Sequence, residues 1–312
     1  MNAFAANILA GLNEKPKRLP SRYFYDEAGS ELFKKIMTLP EYYLTRLELG
    51  ILEAERESIR QAIGPEPFEM VDLGAGSGEK SKILLRHFLR FETDFRYLPV
   101  DISENALSIL VRELQLEFPE IKAQGFAGDY FQNFRELPFQ PERRRVVLFL
   151  GSNIGNFSDA EARSFLHYIA NGLRPKDLLL IGFDLMKDPD VILAAYDDSS
   201  GVTREFNLNL LTRINRELHA DFDIKTFKHW ATYNPLTGAC ESYLISAREQ
   251  TVSLGALGQS IHFDAWEAIH MELSQKYDRH TIEDLALSGG FQPIRNYEDP
   301  DGHYLLALWG RV

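Results

Sequence analysis

Three glycines crowd one short stretch, "VDLGAGSGEKSKILL" over residues 71–85, at Gly74, Gly76 and Gly78. An apolar run precedes them and a helix-like run follows, so they form a strand-to-helix turn with little side-chain bulk. In an open α/β sheet, ligands sit beyond the carboxyl ends of the strands, and a bare first turn lets one approach the backbone closely. The spacing is G-x-G-x-G with Glu79 at the sixth place, a departure from the G-x-G-x-x-G of dinucleotide binders. Asp101, closing "FRYLPVD", is suited to accept both hydroxyls of a ribose. In "GDY", Asp129 offers an acceptor for an adenine amino group and Tyr130 a ring to lie on the base. A glycine turn, a ribose acid and an adenine acid in that order describe an adenosine ligand with no required phosphate, and S-adenosylmethionine meets that description. A nicotinamide dinucleotide is the alternative for the same turn and acid, but it asks for the six-residue glycine spacing.

These residues need a scaffold, and the centre of the chain alternates strand-like and helix-like segments. An apolar strand ends at Leu73, a helix runs from about Glu79 to Phe91, and "FRYLPVD" reads as the next strand. Ser103 is an N-cap for "ENALSILVRELQLEF", "RRVVLFLG" is a buried strand, Ser158 caps "DAEARSFLHYIANGL", and "DLLLIGFDLM" is a further strand. Such alternation predicts an α/β fold with a doubly wound parallel sheet. Near the end, "GFQPIRNYE", a "DPDG" turn and "HYLLALWGRV" predict two strands returning to that sheet. The expected cofactor domain is 61–196 with 286–312; the flanks, 1–60 and 197–285, form a second, discontinuous α+β domain for the substrate.

Composition narrows the partners. With 312 residues, 45% hydrophobic and 26% charged, the chain supports a large core, and no apolar run reaches the length of a bilayer span. The single cysteine, Cys240, excludes an internal disulfide framework and fits a reducing cytoplasm. A net charge of −12 argues against gripping a phosphate backbone, so a small molecule is the expected partner, with no nucleic acid and no membrane, and the protein a monomer. Lys15, Lys17, Arg18 and Arg22 form a short basic patch read as solvated surface, and "FAANILAGL" as an amphipathic helix. The eight histidines form no metal-ligand cluster, and there is no G-x-S-x-G elbow.

Several longer motifs carry a resemblance over nearly the whole chain: "YFYDEAGSELFKKIMTLPEYYLTRLE" (23–48), "DLGAGSGEKS", "PVDIS", "GDY", "FLGSNIGNF", "AYDDSSGVTREFNLNLLTRINRELHADFD" (195–223) and "HMELSQKY". On these the sequence resembles the histidine-specific, S-adenosylmethionine-dependent methyltransferases of ergothioneine biosynthesis, which trimethylate the α-amine of L-histidine to hercynine. The resemblance implies a class I methyltransferase sheet beside a substrate-binding domain. It implies cofactor contacts at Gly74, Lys80, Asp101, Asp129 and Tyr130, with Gly76 in the same turn. It also implies histidine contacts at Tyr42, Asn156, Tyr196, Glu272 and Ser274, with Tyr25 and Phe33 shaping the pocket around the amine.

Each implied role is chemically reasonable. A carboxylate at Glu272 and a hydroxyl at Ser274 would read both nitrogens of an imidazole, and a spacing of two puts them on one face only in extended backbone. Asn156 follows the fourth strand, where its amide would hold the α-carboxylate or the amine of the amino acid, and Tyr196, read as near a helix start, would donate to the same α-carboxylate. Asp197 and Asp198 read as a capping pair. Methyl transfer needs a neutral amine, so a proton must leave, and Tyr42 or Tyr25 with water is the expected route. One position departs from the family: "ESYL" (241–244) puts Ser242 where a methionine usually packs beside the imidazole. That opens a ring-modified histidine such as a thiohistidine, or another aromatic amino acid, as an alternative acceptor.

Overall fold

The computed structural model describes residues 2–128 and 134–312. The chain divides into two units, each assembled from separate stretches: 1–43 with 187–275, and 44–186 with 276–312. The divisions therefore fall at 43/44, 186/187 and 275/276 rather than at 60/61, 196/197 and 285/286. Helix Tyr43–Ile63 accounts for the first displacement, because from Leu44 onward it belongs with the large sheet, to which Glu48 is bonded.

The unit 44–186 with 276–312 is built on a sheet that comprises, among the described residues, eight strands. In spatial order these are Phe291–Glu298, Tyr304–Arg311, Leu178–Asp184, Arg144–Phe149, Phe68–Leu73, Phe95–Asp101 and Lys122–Ala123, with Phe126–Ala127 also pairing Phe95–Asp101. Strands Phe68–Leu73 and Leu178–Asp184 are buried at every position, as expected where both faces are covered. Strand Phe68–Leu73 runs parallel to Phe95–Asp101 on one side and to Arg144–Phe149 on the other, so the strand order reverses there. The last strand inserts antiparallel beside Leu178–Asp184, and Phe291–Glu298 takes the edge. This is the doubly wound α/β arrangement of a class I methyltransferase sheet. Local signals set its helices. Ser103 accepts from Ala106 N–H to start helix Glu104–Glu117, and Ser158 with Glu161 forms a capping box on helix Asp159–Ala170.

The unit 1–43 with 187–275 has an α+β build. Its four-stranded sheet runs Lys17–Arg18, Ala268–Gln275, Ala239–Ser246, Phe227–Asn234, and a hairpin pairs Gln250–Leu254 with Gln259–Phe263. Helix Val202–Leu218 packs Phe206, Leu210, Leu211 and Ile214 into a core shared with Leu244, Ile269 and Met271 of the sheet. Helix Ala3–Asn13 adds Phe4, Ile8 and Leu12 to that core, in line with its amphipathic reading. The basic patch is corrected at one member: Lys17 is 7% exposed and ion-paired with Glu267, because its strand pairs Ile269 and draws it into the sheet.

Candidate active site

In the larger unit the glycine turn leaves the carboxyl end of strand Phe68–Leu73, at the point where strand order reverses. Gly76 has φ +53, and a Cβ added to it would meet nothing within 4 Å among the described residues. Gly78 has φ +68, which side-chain-bearing residues rarely adopt, and a Cβ there would lie 2.4 Å from the Leu110 side chain. Gly76 N–H donates to Asp101 Oδ2 at 3.0 Å and Ser103 N–H to Asp101 Oδ1 at 2.9 Å. These bonds fix the Asp101 carboxylate and leave acceptor capacity on both oxygens. Open space over bare backbone, beside an oriented carboxylate, fits a nucleoside-bearing group such as S-adenosylmethionine. Asp129 and Tyr130 lie outside the described residues.

Beneath this turn lies a buried acid–hydroxyl set: Asp72 accepts from Tyr97 OH at 2.6 Å and from Ser81 Oγ. Burial raises the Asp72 carboxyl above its ordinary value, although both hydroxyls and Lys80 pull it back. Lys80, in the first turn of helix Glu79–Arg90, is ion-paired with Glu48 at 2.5 Å. Glu48 was not singled out from the sequence, although it closes the first long motif. Asn156 ends the 3-10 turn Asn153–Asn156 that follows strand Arg144–Phe149, and it is exposed. Tyr277 OH donates to Ile154 O at 3.1 Å and so anchors that turn.

The smaller unit gathers the aromatic and polar candidates. Tyr25 follows the 3-10 turn Ser21–Phe24, Phe33 lies on helix Glu27–Met37, and Tyr42 immediately precedes helix Tyr43–Ile63. Their rings form a chain: Tyr25 to Phe33 at 5.3 Å, Phe33 to Tyr42 at 6.2 Å and Tyr42 to Tyr196 at 6.4 Å, all near edge-to-face. Phe206 joins it, 5.5 Å from Tyr25 and 5.7 Å from Phe33, a position the sequence does not single out. Tyr196 is the last residue of helix Pro189–Tyr196, not near a helix start, because Pro189 and the Asp188 cap begin that helix seven residues earlier. Its hydroxyl shares a 2.6 Å hydrogen bond with Ser274 Oγ, and both residues are buried.

Glu272 and Ser274 lie in strand Ala268–Gln275, in the extended geometry their spacing requires. The register against strand Ala239–Ser246 slips between His270 and Glu272, so Met271 is the extra residue of a β-bulge. Ile269 pairs Leu244 before the bulge; Glu272 pairs Ser242 and Ser274 pairs Cys240 after it. Because Cys240, Ser242 and Leu244 alternate as the buried face of their strand, the bulge turns Glu272 and Ser274 onto the face that carries Ile269. Regular pairing would have sent both to the other side.

Ser242 is 1% exposed and its Oγ has no hydrogen-bond partner among the described residues, so the small side chain is enclosed rather than opening onto solvent. On the same face, His229 pairs Leu244 from strand Phe227–Asn234. Both its ring nitrogens are buried without a hydrogen-bond partner among the described residues, and Asp197 Oδ1 stands 3.8 Å from Nδ1. Burial lowers the His229 pKa and favours the neutral ring, although Asp197 opposes the shift. Asp198 behaves as the capping reading expects. It accepts from Ser200 Oγ, Val202 N–H and Thr203 N–H, at the start of helix Val202–Leu218.

Known proteins are similar to this chain in sequence. A family described as "Histidine-specific methyltransferase, SAM-dependent" matches residues 4–311. The histidine N-alpha-methyltransferase of Mycobacterium tuberculosis (strain CDC 1551 / Oshkosh) is 37% identical over 306 residues, spanning 98% of this chain and 94% of that one. Ergothioneine biosynthesis protein 1 of Schizosaccharomyces pombe (strain 972 / ATCC 24843) is 31% identical over 92% of this chain and 38% of its own length. The 4-dimethylallyltryptophan N-methyltransferase of Claviceps purpurea (strain 20.1) is also 31% identical, over 91% of this chain and 88% of its own.

Proposed function

We propose, on the premise that this chain belongs to the family of histidine-specific, S-adenosylmethionine-dependent methyltransferases, that it methylates the α-amine of L-histidine as far as the trimethylated product, hercynine. The observation that carries this reading is the pairing of Glu272 and Ser274 on one buried sheet face, with Ser274 bonded to Tyr196. A carboxylate and a hydroxyl two residues apart match the two nitrogens of an imidazole.

When bound, S-adenosylmethionine supplies an electrophilic methyl carbon on a sulfonium. In this reading Gly74 and Gly76 offer bare backbone to it, Asp101 accepts from its ribose hydroxyls, Lys80 holds its carboxylate, and Asp129 and Tyr130 hold its adenine. Glu272 accepts from one imidazole N–H and Ser274 meets the other ring nitrogen. Asn156 and Tyr196 hold the α-carboxylate. Tyr42 and Tyr25 pass the amine proton to water, with no dedicated strong base. Together with Phe33 they give an aromatic wall that suits an increasingly methylated ammonium, which loses its hydrogen-bond donors but keeps its charge. Orientation of the reactants, not covalent catalysis, provides the acceleration.

The chain is further read as a cytoplasmic monomer that engages neither nucleic acid nor membrane. The acidic net charge of −12 and the single, buried Cys240 support this, and among the described residues no helix is long and apolar enough to cross a membrane. A second acceptor class, a ring-modified histidine or another aromatic amino acid, is favoured by the Ser242 hydroxyl opposite Glu272, which has no hydrogen-bond partner among the described residues. Mass spectrometry after incubation with S-adenosylmethionine and a panel of free amino acids decides between them. Successive gains of one, two and three methyls on histidine are expected; methylation of thiohistidine or tryptophan with histidine untouched would overturn the first reading.

A further inference from the structure

Glu48 is 0% exposed, although glutamate on a helix ordinarily faces water. Its carboxylate is fully engaged. Gly151 N–H donates to Oε1 at 2.8 Å and to Oε2 at 2.9 Å, Tyr304 OH donates to Oε1 at 2.8 Å, and Lys80 Nζ lies 2.5 Å from Oε2. The donors come from the loop after strand Arg144–Phe149, from the last strand and from the helix after the glycine turn. Strand Leu178–Asp184 leaves room for this group: a Cβ on Gly182 would lie 2.5 Å from both Glu48 Oε1 and Tyr304 OH. The pair is thus built into the sheet's carboxyl end, unlike a surface ion pair. It is also asymmetric, with the Lys80 side chain 24% exposed and that of Glu48 1%. Lys80 carries three N–H donors, and Glu48 engages it from the buried side.

We infer that Glu48 is a positioning residue for the methyl-donor site: it orients the Lys80 ammonium and offsets its charge, so that the site takes a ligand carrying a carboxylate and a sulfonium together. The inference rests on the reading of Lys80 as a cofactor contact. A lysine alone would attract the carboxylate and repel the sulfonium; a buried carboxylate behind it removes the net repulsion while leaving the hydrogen bonds in place. S-adenosylmethionine and S-adenosylhomocysteine differ by that positive charge, so the ratio of their dissociation constants reports on Glu48 in a way that a purely structural role does not.

The test is calorimetric titration of the intact protein with each of the two ligands. In Glu48→Gln, whose amide oxygen still accepts from Gly151 and Tyr304, the Kd for S-adenosylmethionine should rise about 10-fold and that for S-adenosylhomocysteine about 3-fold or less. Lys80→Met should weaken both ligands but move the ratio the opposite way. The double variant, neutral at both positions, should return the ratio to that of the unaltered protein while binding stays weak. Equal shifts of both ligands in Glu48→Gln overturn the inference and leave the Lys80 assignment standing. Unchanged binding in Lys80→Met overturns the assignment itself and the inference with it. If Glu48→Gln does not fold, the double variant is compared with Lys80→Met: a ratio that rises when Glu48 is neutralised supports charge offset, and a ratio that stays constant overturns it.

Discussion

In the proposed reading, recognition at Glu272 reduces to one charged acceptor. A hydrogen bond to an ionised group contributes about 1.5–3 kcal/mol, so Glu272→Ala should raise the KM for histidine about 10- to 100-fold. The Kd for S-adenosylhomocysteine should stay within about twofold, because no proposed cofactor contact lies in the unit that holds Glu272. Steady-state kinetics beside calorimetry checks this, and an equal loss on both ligands would remove Glu272 from its role. Residue type and place at a strand end made Asp101 a candidate acceptor in the sequence, whereas Glu272 and Ser274 entered as candidates only through the resemblance, because a lone glutamate and serine read equally well as solvated surface. Glu48 was not legible: a glutamate in a polar helical stretch looks solvated until the sheet that buries it is known. Phe206 was hidden in the same way, an apolar helix residue with no polar group to mark it.

Elements decide which of these groups face one another. The bulge at Met271 is the clearest instance, since one extra residue reverses the face of everything after it while leaving the strand's composition unchanged. Helix Val202–Leu218 starts at Gly201, which has no capping side chain, and Asp198 does that work from three residues upstream. Burial alone would push the Asp198 carboxyl up, but the donors from Ser200, Thr203 and Val202 outweigh it and hold the pKa at about 2. A carboxyl depressed in the folded state stabilises above its unfolded pKa, about 3.9, and that contribution fades as pH falls toward about 2. Asp198→Ala should therefore lower stability by about 1 kcal/mol at neutral pH, with the gap to the unaltered protein closing below about pH 4. Urea unfolding at several pH values measures it, and a constant gap would mean that the Asp198 charge is irrelevant.

Across the whole molecule, each unit keeps its own core, and the smaller one draws on the start of the chain as well as its middle. Ile8, fully buried in the smaller unit, shares a core with Leu210, Leu244 and Ile269 far along the sequence. Ile8→Ala should destabilise the protein by about 2–5 kcal/mol in thermal or denaturant unfolding. Affinity of the folded protein for S-adenosylhomocysteine should hold within about twofold; a larger loss would show that this core also shapes the cofactor turn. By itself the sequence determined the strand–helix alternation, the caps at Ser103 and Ser158, the glycine turn and the kinds of groups available for chemistry, because each depends on neighbours within a few residues. Only tertiary structure decided that helix Tyr43–Ile63 joins the large sheet from Leu44, that the final strand inserts inside that sheet, that Tyr196 meets Ser274 and that Glu48 lies beneath Lys80. Those outcomes depend on burial and register between segments up to hundreds of residues apart, and local spacing does not encode them.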